Sequence, residues 1–268
     1  MMVVMDAWKD LPGDTQPDET EAAIYPARLD GTLDDNLSRW LWIVKWFLAI
    51  PHYIVLFFLG IAFFFATVIS FFAILFTGTY PRSIFDFNVG VLRWGWRVGF
   101  YSYSALGTDR YPPFTLADDP DYPARLSVDY PERLSRGRVL FKWWLLAIPH
   151  YVIVGVFVGG VVSSAGKVNE TGGASEWHTT TSDGGLIGIV VVIAALWLLF
   201  GGRYPRGLFR FAMGLNRWTF RVVAYATLMR DEYPPFSLDQ GGRDPGTPAA
   251  SKETASPMEP GPPDAPAW

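Results

Sequence analysis

The chain has 268 residues, of which 50% are hydrophobic and 16% aromatic, and carries a formal net charge of −4. It contains no cysteine, which excludes disulfides, thiol catalysis and thiolate-held iron–sulfur clusters. Mean hydropathy is +0.17, and the apolar residues are gathered in blocks, which argues for a membrane protein.

Residues 1–23 are acidic, contain proline and glycine and show no periodicity, the composition of a disordered tail. They lack the basic-then-apolar order of a signal peptide, so the first apolar block, starting near Trp40, is expected to remain as an anchor. Residues 240–268 are richer in Pro, Gly and Ala and are read as a second disordered tail.

Between the tails the sequence is duplicated, with units at 24–117 and 121–239. YPARL at 25–29 recurs at 122–126, and the stretch from Ser38 to Tyr53 recurs from Ser135 to Tyr151, ending both times in AIPHY. A YPR triplet follows at 80–82 and 204–206, then RWGWRV at 93–98 against RWTFRV at 217–222. Each unit closes on YPPF, at 111–114 and 233–236.

The apolar parts predict an all-α membrane protein of two tandem helical-hairpin repeats, about four transmembrane helices in all. Trp40–Phe76 as one straight helix would be about 55 Å long against a hydrocarbon core of about 30 Å, so it is expected to bend back on itself, with a turn near Gly60–Phe65, or to lie partly flat; the rival to the hairpin has 38–50 in the interface and one span at Pro51–Phe76. In the second unit, Val139–Ala165 and Gly185–Phe200 read as the two arms, joined by a polar outer loop at 166–184. This arrangement gathers the arginines on one side and leaves Lys167 on the other, the positive-inside pattern. It implies a multi-pass membrane protein with both termini cytoplasmic.

Each hairpin is followed by a predicted amphipathic interfacial helix, 82–104 and 206–225. At 100° per residue, Arg82, Arg93 and Arg97 share one face of the first, and Arg206, Arg210, Arg217 and Arg221 one face of the second. A basic stripe opposite Trp, Phe and Val suits a helix lying on anionic headgroups, or serving topology alone.

His52 and His150 follow a proline inside apolar runs, where an ionisable side chain is costly. Three roles fit: a partner for groups freed by the proline kink or for a neighbouring tyrosine or arginine, a proton relay, or a haem or metal ligand. Lys45 and Lys142 read as headgroup snorkellers, Ser38 and Ser135 as helix caps, and the YPARL and YPPF segments as short extended stretches at the membrane face. Glu170, Glu176, His178 and Asp183 in the outer loop make a metal site conceivable, but the Gly-, Ser- and Thr-rich composition favours a mobile outer loop. No nucleophile elbow, HExxH, Walker or dinucleotide-binding pattern stands in suitable context, so no catalytic residue is assigned.

The order YPxRL, SRxxxxxKW, AIPHY, YPR, RWxxRV and YPPF resembles a bacterial family of integral membrane proteins known only as a domain of unknown function. The resemblance spans both units and implies a membrane location, without an activity, substrate or catalytic residue. The leading expectation is a non-enzymatic scaffold or anionic-lipid-interacting module. A small oligomeric carrier or proton-coupled transporter built on His52 and His150 is the second, and a haem or metal protein the third. The leading reading needs no cofactor, metal or nucleic acid. Its partners are membrane lipids, and a second copy or another membrane protein.

Overall fold

The computed structural model describes residues 25–159, 163–166, 177–180 and 185–247. The expected tail at 1–23 and most of the other, 248–268, lie outside the described residues. The chain is mostly helical, with two small sheets among the described residues.

The two YPARL segments are extended, as proline at their start favours. They pair with each other: β1 (Ala27–Gly31) runs antiparallel to β2 (Ala124–Val128), with Leu29 opposite Leu126. Equivalent strands of the two repeats thus meet at their own midpoint, which makes the fold a pseudo-two-fold. Buried Leu29, Leu126, Ala27 and Ala124 fix the inner face by strand alternation.

α1 (Trp42–Thr77) is one uninterrupted helix of 36 residues, about 54 Å long. The expected turn at Gly60–Phe65 is absent, because every residue there continues the helix and no loop-forming sequence interrupts it. Pro51 is accommodated inside it. A single inner stripe contacts the rest of the protein: Lys45, Ala49, His52, Ser70 and Ile74 are buried, with Leu56, Leu59 and Phe63 partly covered between them. The remaining faces expose Phe57, Phe58, Phe64, Phe65, Phe72 and Phe76. α1 ends on Gly78, whose φ of 76° is easy only for glycine.

After YPR, α2 (Arg82–Tyr101) turns back along α1 and also packs on β2. The second repeat follows the same path with interruptions. α3 (Arg136–Phe141) is followed by a π-helical turn at Lys142–Leu146, α4 (Ile148–Val154) and a second π-helical turn at Gly155–Gly159. A ribbon of β3 (Ser163–Gly166) and β4 (Trp177–Thr180) leaves the path at this point. The rest of the expected outer loop, 167–176 and 181–184, lies outside the described residues.

α5 (Leu186–Gly201) then begins against the end of α4's extension. A Cβ on Gly185 would stand 2.6 Å from the carbonyl carbon of Phe157. The path therefore resumes where it stopped, and the second repeat is α1 with a segment looped out. The spacing agrees: 33 positions separate Lys45 from Gly78 and 60 separate Lys142 from Gly202, or 35 without the 25 residues 160–184. This replaces the expected hairpin. α5 ends on Gly202 with φ 72°, and α6 (Arg206–Ala226) turns back along it to pack on β1 and the Lys142–Leu146 turn.

α2 and α6 meet at the centre, where Trp96 packs edge-on against Phe220 and Phe100 against Phe209. They are core helices and not the exposed interfacial helices expected from the sequence, while α1 and α5 carry the exposed apolar faces. Both are followed by a buried leucine with positive φ, Leu106 and Leu228, a costly conformation retained at equivalent places. Residues 240–247 were expected to belong to the tail. They pack into the fold, with Asp244 2% exposed and the Gly242 carbonyl accepting from Gly31 N–H at 2.8 Å.

Candidate functional site

Three constellations occur once per repeat. The first surrounds the histidines, both fully buried. Trp94 Nε1 donates to His52 Nδ1 at 3.1 Å, and Trp218 Nε1 donates to His150 Nδ1 at 3.3 Å. An indole N–H can only donate, so Nδ1 is the acceptor and the neutral ring carries its proton on Nε2. Phe114 stacks on His52 at 3.9 Å and Phe236 on His150 at 4.5 Å, with Tyr111 and Tyr233 tilted alongside. The RW and YPPF motifs therefore recur because they wall in the histidine of PHY. Of the expected partners a tyrosine is present, while the ring nitrogen is engaged by a tryptophan instead of a freed carbonyl or an arginine. Each Nε2 finds no hydrogen-bond partner among the described residues.

The second constellation holds the lysines. Lys45 and Lys142 are 1% and 0% exposed, so neither snorkels. Lys45 Nζ lies 2.8 Å from Asp109 and 2.6 Å from the Thr108 carbonyl, over the Tyr101 ring. Lys142 Nζ lies 3.2 Å from Asp231, donates to the Arg230 carbonyl and sits over Tyr225. The same carboxylates accept the backbone N–H of Ser38, at 2.5 Å, and of Ser135, at 2.7 Å. α1 starts after Leu41, and neither it nor α3 has a side-chain cap, so the serines contribute their backbone and not their hydroxyls. Burial pushes the Tyr101 and Tyr225 phenols up to about 12. The Asp109 charge adds to this at Tyr101, and Tyr233 and Asp231 add at Tyr225.

The third is the arginine stripe, which the structure divides. Arg93 donates to the Leu126 carbonyl at 3.2 Å, and its counterpart Arg217 to the Leu29 carbonyl at 2.9 Å, so each repeat's arginine clamps the other repeat's strand. Arg97 donates to the carbonyls of Thr115 and Ala117 at 2.7 and 2.9 Å. Arg221 pairs with Asp239 at 2.5 Å and with Asp244 at 3.2 Å, and Asp244 also pairs with Arg217 at 3.0 Å. Burial lowers the pKa of both Arg97 and Arg217. Arg97, Arg217 and Arg221 are at most 4% exposed and are spent on the protein's own backbone and carboxylates, while Arg93 is largely covered. Arg82, Arg206 and Arg210 remain on the surface. The last two line an open hollow of about 330 Å³ together with Asp35.

The histidine box and the lysine clasp bring together groups that inspection of single motifs does not connect: Trp94, Phe114 and Asp109, and Trp218, Phe236 and Asp231. Their signal is co-recurrence, since RW, an aspartate two residues before YPPF, and YPPF itself all return with PHY. Asp239 and Asp244 have no such signal. Among the described residues no group of three His, Asp or Glu is arranged to hold a metal, and each histidine sits in a separate enclosure.

The chain matches the family described as Domain of unknown function (DUF4389) over residues 39–115 and 184–237. The matched ranges omit 116–183, which includes 160–183 of the looped-out segment. No curated protein and no solved structure matches the chain.

Proposed function

We infer that the protein is a non-enzymatic membrane module that engages an anionic lipid surface and acts as a scaffold on it, in the inner membrane of a bacterium. One observation carries this reading: α1 is 36 residues long, has a mean hydropathy of 2.7 in its apolar window, and buries only 6% of that window inside the protein. A core helix of a soluble protein is buried on several faces, whereas α1 offers about two-thirds of its circumference to its surroundings. Surface arginines at its ends supply charge for phosphate-bearing headgroups. The buried Lys, Arg and Asp side chains are consumed by internal ion pairs, which supports a structural use of these groups over a catalytic one. The four crossings expected from the sequence do not form part of this reading, because α1 has no turn.

Flotation of the full chain with vesicles tests it. Binding to phosphatidylethanolamine–phosphatidylglycerol vesicles should exceed binding to phosphatidylcholine vesicles, and Arg82→Gln/Arg206→Gln/Arg210→Gln should narrow the gap. Equal recovery on both lipids removes the anionic preference, and no flotation removes the membrane assignment.

A second reading, a carrier using the Pro-His-Tyr sites, draws on the buried Nε2 of His52 and His150, each without a hydrogen-bond partner among the described residues. It requires that His52→Gln/His150→Gln abolish proton uptake by proteoliposomes without unfolding the protein.

A further inference from the structure

We propose that the protein lies in one leaflet, with α1 and the α3–α5 path parallel to the membrane plane and the pseudo-two-fold axis along the membrane normal. The proposal rests on the membrane reading and adds its geometry.

The argument starts at the β1–β2 ladder. Two antiparallel strands that pair at equivalent residues are related by a two-fold axis perpendicular to the ladder, passing between Leu29 and Leu126. A rotation about that axis leaves heights along it unchanged, so Arg39 and its counterpart Arg136 share one height, and Gly78 and Gly202 another. The two heights are joined by contact. Leu134 N–H donates to the Gly78 carbonyl at 2.9 Å, and the Arg136 side chain lies over Gly78. At the opposite corner the Arg39 guanidinium lies over Gly202. The start and the end of α1 are therefore at the same level, and a helix of about 54 Å has almost no net rise along the axis. The same holds for the α3–α5 path.

Only two orientations respect the symmetry. If the axis lay in the membrane plane, α1 could cross, but Leu29 and Leu126 would mark the bilayer midplane. The exposed pairs Arg28–Asp129 and Arg125–Asp118 would then sit at hydrocarbon depth. Exposed charges are not tolerated there. With the axis along the normal, the sheet faces water and both apolar paths lie at one depth. Their outer faces expose Phe57, Phe64, Phe72 and Trp197, aromatic groups suited to the headgroup–acyl boundary. The two corners then bring Arg39, Arg203 and Arg206, and Arg82, Arg136 and Arg138, to the level of lipid phosphates. The occupant of the apolar face is thus an anionic lipid leaflet, fixed by charge at the corners and by aromatic area between them.

The chain has no cysteine, so single cysteines can be introduced into the full-length protein. In phosphatidylethanolamine–phosphatidylglycerol vesicles, spin labels at Phe47→Cys, Phe57→Cys, Phe64→Cys, Phe72→Cys and Ile193→Cys should report one common, shallow immersion depth. Ser38→Cys and Thr79→Cys should react with an impermeant maleimide from the same side of sealed vesicles. A depth profile that peaks near Phe57–Phe64, or labelling of Ser38→Cys and Thr79→Cys from opposite sides, overturns the in-plane orientation while leaving membrane binding intact. Loss of the protein from the vesicle fraction in every variant and in the parent chain defeats the membrane reading instead.

Discussion

Leu29 and Leu126, the same residue of two copies of YPARL, face each other across an antiparallel ladder. Each offers its carbonyl to an arginine of the opposite repeat, Arg217 to Leu29 and Arg93 to Leu126. The fold is therefore an exchange: each repeat completes the other's strand clamp. Neither unit could bury its own arginine without the second, since a guanidinium left without acceptors in the interior is costly.

The exchange is unequal in strength. Arg217 and Asp244 are at most 1% exposed, whereas Arg93 and Asp118 are 19% and 42% exposed. Arg217→Ala leaves buried Asp244 with Arg221 as its one remaining arginine and takes the donor from the Leu29 carbonyl, and should cost about 3 kcal/mol, while Arg93→Ala should cost about 1 kcal/mol. A chain ending after Gln240, which lacks Asp244, should fall with Arg217→Ala. Chemical unfolding in detergent micelles gives all three values.

Trp94→Phe and Trp218→Phe keep the aromatic wall but leave Nδ1 of the enclosed histidine without its donor. Each should cost about 1–3 kcal/mol. Nitrogen-15 spectra of the histidines offer a sharper readout. The parent should show the Nε2–H form alone at both rings, and each variant should lose that purity only at its own histidine.

Gly78 and Gly202 share a left-handed conformation but differ in surroundings. Alanine at either should cost about 1–2 kcal/mol in backbone strain. At Gly202 the new methyl would also stand 2.7 Å from Arg39 Cζ, against 3.3 Å from Arg136 Nε at Gly78. Gly202→Ala should therefore be the more damaging, and Arg39→Ala should recover the difference. A double-mutant cycle measures the coupling.

Tyr101 and Tyr225 titrate higher in the folded protein, at about 12 against an ordinary 10. A raised folded pKa gives stability that is whole below pH 10 and is lost as pH rises through 12, because the unfolded chain releases the proton first. Unfolding midpoints should fall across that window. Tyr101→Phe/Tyr225→Phe should flatten the fall.

The repeats, the apolar blocks, both core helices and the extended YPARL segments were all legible in the sequence, because each rests on local chemistry. Periodicity marks a helix, proline before alanine marks an extended strand, and duplication needs only letter-by-letter comparison. Which face of α2 and α6 turned inward was not legible. A stripe of arginine opposite Trp and Val reads as a surface whenever no acceptor is in view, and the carbonyls of Leu29, Leu126 and Thr115 and the carboxylate of Asp244 arrive from remote segments. The same holds for Lys45, Lys142 and the histidines, whose partners lie 42 or more residues away.

The sequence by itself determined that the protein has an apolar surface to hide and two copies of the unit that carries it. Only the tertiary structure decided how that surface is presented. Length alone suggested that the apolar stretch Trp40–Phe76 must fold back or lie partly flat to suit a bilayer. The contacts of Gly78 with Leu134 and of Gly202 with Arg39 close the two helical paths into one level, and a level is a property of the assembled pair that neither repeat encodes alone.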